Sequence, residues 1–188
     1  MSKNIMIVGV GGQGTLLTSR IIGNLLISEG YDVKVSEVHG MSQRGGSVVT
    51  YVKYGDKVSS PIIDKGEADI VLAFEMLEAL RALPFVKDGG KLITNTQEIA
   101  PMPVIIGATK YPENIADTLS KNTELVAVNA VDMALEAGNI KAVNVVLIGV
   151  MAAKTDISYD KWVEALKMTV PPKFLEVNLK AFDLGYNS

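Results

Sequence analysis

Two glycine-rich clusters hold most of the side chains in this sequence that could take part in chemistry. The first, Gly9-Val10-Gly11-Gly12-Gln13-Gly14, is a G-x-G-x-x-G pattern set between a short apolar run and a segment of helical periodicity. In that setting the first glycine permits a tight turn, the second lets another backbone or a ligand approach, and the third lets a helix pack closely on a strand. The helix beginning there presents free N–H groups and a partial positive charge, which favour an anion. The second cluster is His39-Gly40-Met41-Ser42-Gln43-Arg44-Gly45-Gly46, and it carries the only histidine. An arginine beside two glycines sets a planar cationic fork among open backbone amides, a receptor for carboxylate or phosphate. The candidate ligand-facing residues are therefore Gly11, Gly12, Gln13, Gly14, His39, Arg44, Gly45 and Gly46.

The same residues have plainer readings. The glycines serve equally well as a turn with tight helix packing and no ligand. His39 can be an ordinary hydrogen-bonded side chain, and Arg44 one half of an ion pair with a neighbouring subunit. Glu37 lies 23 residues past Gly14, near the end of an expected second strand. An acid at that place would hold the ribose of a dinucleotide, so a stand-alone NAD(P)- or flavin-binding oxidoreductase is open on pattern alone. A nucleophile–base–orienter set cannot be assembled around one histidine, and no paired carboxylates stand out as an acid–base couple. The chain reads as a binder with no catalytic residues of its own, and a non-catalytic regulatory module is a third reading.

The elements that must position these clusters follow from periodicity. Ile5 to Gly9 is a buried parallel strand, and residues 13 to 29 form a helix with Leu16, Leu17, Ile21, Leu25 and Leu26 at helical spacing and Gly30 as its stop. Tyr31 to Val38, Ser47 to Tyr54, Ala68 to Phe74, Lys91 to Thr94 and Glu124 to Val128 read as further strands. Helices are expected at about Glu75 to Leu83 and Glu113 to Lys121, a turn at Asp88-Gly89-Gly90, and an irregular or edge segment between Pro101 and Pro103. From Ala130 onward the chain is helical. Ala130 to Glu136 is broken by Gly138-Asn139, and Lys141 to Lys154 is apolar nearly all round and so buried. Ser158 caps Tyr159 to Lys167, and a last helix opens at Pro171-Pro172 and closes at Gly185. The fold class is α/β: a Rossmann-like, doubly wound, mainly parallel sheet flanked by helices, with a helical C-terminal part. Residues 1–188 are expected to form a single domain. Loops after the first two strands leave from one carboxyl edge, which brings Arg44 and His39 near Gly11–Gly14.

Composition narrows the function classes. With 188 residues, 48% of them apolar, the chain can bury a core without staples. Its 18 basic and 21 acidic side chains are mixed along the sequence and show no basic stripe for nucleic acid. Cysteine is absent, which excludes disulfides and any iron–sulfur cluster held by this chain's own thiolates, and one histidine excludes a His-rich metal site. A redox centre must then be a bound organic cofactor or belong to another chain. The longest strongly apolar stretch, Val143 to Ala153, is too short to span a bilayer. With no signal-peptide pattern behind Met1, a cytoplasmic protein is expected.

The turn Gly9–Gly14 followed by Glu37-Val38-His39-Gly40-Met41-Ser42-Gln43-Arg44-Gly45-Gly46 resembles the small (beta) subunits of indolepyruvate:ferredoxin oxidoreductases. It is also similar to the gamma subunits or domains of pyruvate- and oxoglutarate-type relatives. Those usually show a Tyr-Gly pair and an acid before Arg-Gly-Gly, so the form here looks like the indolepyruvate branch. The likeness continues through Pro61-Ile62-Ile63, Gly138-Asn139, Asn144, Gly149, Pro171 to Asn178, Ala181, Phe182 and Gly185, essentially the whole chain. The resemblance implies a multi-subunit enzyme that oxidatively decarboxylates an aryl 2-oxoacid, transfers the acyl group to coenzyme A as cosubstrate and passes electrons to ferredoxin. It implies thiamine diphosphate and [4Fe–4S] clusters in a larger partner subunit, and an isolated chain without activity. In agreement, the only Gly-Asp pair, Gly55-Asp56, is followed by Lys57 where the thiamine motif has glycine. It implies, finally, that Arg44 and the Gly11–Gly14 turn face the large subunit and its substrate or coenzyme A region.

Overall fold

The first strand, β1 (Lys3–Val10), is apolar without alternation because both of its faces are covered. Ile5 and Ile7 enter one hydrophobic cluster, whereas Met6 and Val8 enter another on the opposite face of the sheet. The computed structural model describes residues 2–39 and 46–188, with His39 by its backbone alone. Six strands form one sheet in the order β2-β3-β1-β4-β5-β6, the others being β2 (Asp32–His39), β3 (Ser47–Gly55), β4 (Ala68–Ala73), β5 (Val86–Asn95) and β6 (Glu124–Val128). The four from β1 to β6 in that order pair in parallel. By contrast, β3 is antiparallel to both β1 and β2. The sheet is therefore mainly parallel, but β3 occupies the position beside β1 that β2 holds in a plain doubly wound sheet.

One face of the sheet carries α1 (Thr15–Ser28), α5 (Ala130–Ala137), α6 (Val143–Ala152), α7 (Tyr159–Thr169) and α8 (Leu175–Tyr186). The other carries α2 (Met76–Ala82) and α4 (Ile115–Asn122), packed through Met76, Ala79, Ile115 and Leu119 onto Val71 and Leu92. Within the first layer α6 is enclosed, with every residue from Asn144 to Ala152 buried. Helix α8 crosses it at glycines: a Cβ on Gly185 would lie 2.0 Å from the Val146 carbonyl oxygen, and one on Gly149 would lie 2.2 Å from that of Phe182. Gly185, expected to end the last helix, thus sits inside it and lets two backbones touch. The sequence pattern cannot separate those two uses of glycine.

Two further expectations change. Asp88-Gly89-Gly90 does not turn the chain ahead of a strand. It bulges within β5, where the partner register jumps from Ala68↔Val86 to Ile70↔Lys91 and Gly89 takes a φ of 74°. The Pro101–Pro103 segment is neither irregular nor an edge: Pro101 caps the short helix α3 (Met102–Ile105), and Pro103 lies in its first turn. A missing N–H costs nothing there, because first-turn donors have no partner within the helix.

Candidate functional site

The carboxyl ends of β1, β2, β4, β5 and β6 and the start of β3 lie along one edge of the sheet, from which both glycine clusters leave. Gly12 and Gly14 adopt φ values of 100° and 88°, so only glycine fits without strain. Gly9 is required by space, since a Cβ there would stand 2.9 Å from Gln13 Oε1 and 3.0 Å from Phe74 Cβ. The Gln13 carbonyl Oε1 accepts the Val10 N–H at 2.7 Å, and its Nε2 donates to the Phe74 carbonyl at 3.1 Å. The Gly11 N–H donates to the Gly46 carbonyl at 2.9 Å. The first cluster is thus tied to the last residue of the second, and two turn amides that could meet a ligand are taken by the protein itself.

His39 pairs through its backbone with Val48, at the carboxyl end of β2. Arg44 and Gly45 lie outside the described residues, as does the rest of the segment 40–45. Glu37 is in register with Thr50 and accepts its hydroxyl at 2.9 Å, with the whole of β3 between it and β1. Strands stand about 4.8 Å apart, so Glu37 is two strand spacings from the glycine turn that it would have to serve in dinucleotide binding.

Sequence reasoning missed two groups at this edge. One is an amide cluster. Buried Asn95 donates to the Phe74 carbonyl at 3.2 Å and to Gln97 Oε1 at 3.4 Å, and it accepts the Ala130 N–H at 3.1 Å. The ends of β4 and β5 are thereby fixed to the start of α5. The other is a buried pair of acids. Glu75 caps α2 by accepting the Glu78 N–H at 2.9 Å, and it also accepts the Ile99 N–H at 2.9 Å and the Tyr111 hydroxyl. Burial, reinforced by that carboxylate, pushes the Tyr111 phenol well above its ordinary pKa. Glu78 accepts the Ser47 hydroxyl at 2.5 Å and Arg81 Nη1 at 2.6 Å. All four carboxylate oxygens are engaged, so the pair anchors the residue after Gly46 to α2. Glu75-x-x-Glu78 directly after a buried strand was the available signal, but glutamate is outside the usual capping set.

Two adjoining clefts open beside the turn. One, of about 440 Å³, is lined by Gly12, Gln13, Gly14, Gln97, Ile140 and Lys141, among others. Its neighbour, of about 150 Å³, is mostly apolar and shares Lys141, with Leu17, Asn144, Phe174 and Val177 in its wall. A cleft of about 460 Å³ lies at the opposite edge of the sheet among lysines. There Lys87 pairs with Asp69, Lys161 with Glu29 and Lys3 with Asp156, so its charge is largely internal. Large apolar side chains stand exposed around the carboxyl edge: Leu16, Val38, Ile140 and, on α3 and at its C-terminal cap, Met102, Ile105 and Ile106, these last three 65%, 65% and 69% accessible. Among the described residues no three acidic or histidine side chains converge as a metal cage, and no helix is long and apolar enough to cross a membrane.

Comparison with known proteins adds to this geometry. The family model described as Pyruvate ferredoxin/flavodoxin oxidoreductase matches residues 4–188. The chain is 44% identical to the indolepyruvate oxidoreductase subunit IorB of Pyrococcus horikoshii, across 97% of this chain and 93% of that one. It is 42% identical to the protein of the same name from Archaeoglobus fulgidus, across 100% and 95%. Among solved structures it is similar to the gamma subunit of a keto/oxoacid ferredoxin oxidoreductase from Geobacter sulfurreducens, at 26% identity and a TM-score of 0.74. That superposition covers 98% of this chain and 96% of the other.

Proposed function

The chain belongs to the pyruvate ferredoxin/flavodoxin oxidoreductase family, and from that premise we propose that it is the small subunit of an aryl 2-oxoacid:ferredoxin oxidoreductase. The reaction releases carbon dioxide from indolepyruvate or a similar acid, joins the remaining acyl group to the coenzyme A thiol, and delivers the electrons to ferredoxin. The observation that carries this reading is the 44% identity to an indolepyruvate oxidoreductase subunit along 97% of the chain. Thiamine diphosphate and [4Fe–4S] clusters do not fit the residues of this chain. It has no cysteine to ligate iron, and Lys57 follows Gly55-Asp56. Those groups are assigned to a larger partner subunit, and no chemical step is assigned to this chain.

Its own task is then to bind and enclose. The exposed apolar side chains around the carboxyl edge are what a covering partner would bury. Arg44 and the glycine clusters would complete a water-poor cavity over the partner's reacting centre. In this reading the whole chain acts as one unit, in the cytoplasm, and is inactive alone. A stand-alone dinucleotide enzyme is disfavoured by the separation of Glu37 from the turn and by the engagement of the Gly11 N–H with Gly46.

Co-expression with a cysteine-rich large subunit tests the proposal. The purified pair should be brown and should reduce ferredoxin when given indolepyruvate and coenzyme A, whereas neither chain should do so alone. Substrate oxidation by this chain without a second polypeptide would overturn the reading.

A further inference from the structure

Because the Val10 and Gly11 N–H groups are taken by Gln13 and Gly46, the open donors lie one step further on. The N–H groups of Thr15, Leu16 and Leu17 have no carbonyl a turn earlier to bond. Gly14 caps this 14-residue helix without a side chain, and its first turn holds no acid. Two buried polar side chains meet that uncompensated positive end. Asn144, 3% exposed, lies so close that its Nδ2 would be 3.0 Å from a Cβ on Gly14. Its amide makes no hydrogen bond to any described residue, and neither does the hydroxyl of buried Thr15. Buried amides are ordinarily satisfied, and Asn144 lines the smaller of the two clefts beside the turn. Lys141, which has no carboxylate partner among the described residues, lines both adjoining clefts.

We infer that the start of α1, with Asn144 and Lys141, binds the oxyanion group of an organic molecule, a phosphate ester or a carboxylate. The helix end and the ammonium neutralise the charge, and the Asn144 amide donates to a remaining oxygen. The apolar cleft with Leu17 and Phe174 receives the organic part. This deepens the ligand-facing role proposed for the carboxyl edge and rests on that role, but it does not depend on which oxoacid is used.

The test is calorimetric titration of the full chain, alone and with its partner, using phenyl phosphate and phenylpyruvate. Saturable binding of either is expected, and the tighter of the two identifies the anion. Lys141→Met should weaken it by about ten-fold, the worth of one charge-assisted hydrogen bond. Asn144→Asp, nearly the same shape with a negative charge, should abolish it. The surface change Lys65→Met, at an exposed lysine that lines neither cleft, should leave it intact. No binding of either probe, or binding indifferent to both site substitutions, would overturn the inference. Ferredoxin reduction by the wild-type complex would be unaffected by such a failure, so the two proposals fail separately.

Discussion

Gln13 does in this turn what a bound phosphate does in many glycine-rich turns: it supplies the acceptor for a backbone N–H and locks the loop. A side chain tethered to the chain does so without any binding equilibrium, so the turn is formed whether or not a ligand is present. The Gly11–Gly46 hydrogen bond and the Glu78–Ser47 contact then hold the exit of the second cluster against it. Arg44, two residues before that anchored exit, is the side chain expected to meet an anionic group in the assembled enzyme. Arg44→Ala should lower oxoacid-dependent ferredoxin reduction by at least about ten-fold, on the scale of ~1.5–3 kcal/mol for a hydrogen bond to a charged group. Thiamine and iron content of the complex should stay near wild type. Full activity in the reconstituted variant would remove Arg44 from the site.

At the level of elements, the glycine turn is only as well placed as the helices behind it. Helix α6 presents Asn144 to Gly14 at its start and, a turn and more later, Gly149 to α8. The α6–α8 crossing therefore sets where Asn144 stands. Backbone contacts this close leave no room for a methyl group: the Cβ of Gly185→Ala would fall 2.0 Å from the Val146 oxygen, and the helices would have to part. Overpacking of this kind costs about 3 kcal/mol. The variant should unfold at a clearly lower urea midpoint with an unchanged slope, and a midpoint equal to wild type would show that the crossing yields freely.

For the molecule as a whole, the layers are unequal. Five helices cover one face of the sheet and the thinner α2–α4 layer covers the other, while the carboxyl edge keeps its apolar fringe in solvent. The pH dependence of stability should report the tyrosines. Burial, with Asp69 nearby, pushes the Tyr54 phenol up to about 12, and Tyr111 is raised further. A phenol whose folded pKa lies above its unfolded value near 10 keeps its proton in the folded state after the unfolded chain has lost it. Stability from these groups is full below pH ~10 and is lost as pH rises through the folded values. Thermal midpoints should therefore begin to fall near pH ~10, and Tyr54→Phe should make the fall shallower between there and about 12. A variant with the same alkaline slope as wild type would refute the assignment to Tyr54.

Much of this is legible in the sequence. Alternation and apolar runs located the strands from Ile5 to Val128, because burial on one or both faces of a sheet writes itself directly into residue type. The two glycine motifs pointed to the carboxyl edge of the sheet and, with their spacing, to the family. The absence of cysteine excluded an iron–sulfur cluster held by this chain's own thiolates. Only the tertiary structure put β3 between β1 and β2, set Gly185 within a helix crossing, and turned Asp88–Gly90 into a bulge. It alone brought Glu75, Glu78, Asn95 and Asn144 to one edge. Those outcomes depend on which distant backbones come into contact, and local sequence carries the preference of each residue but not the identity of its neighbours.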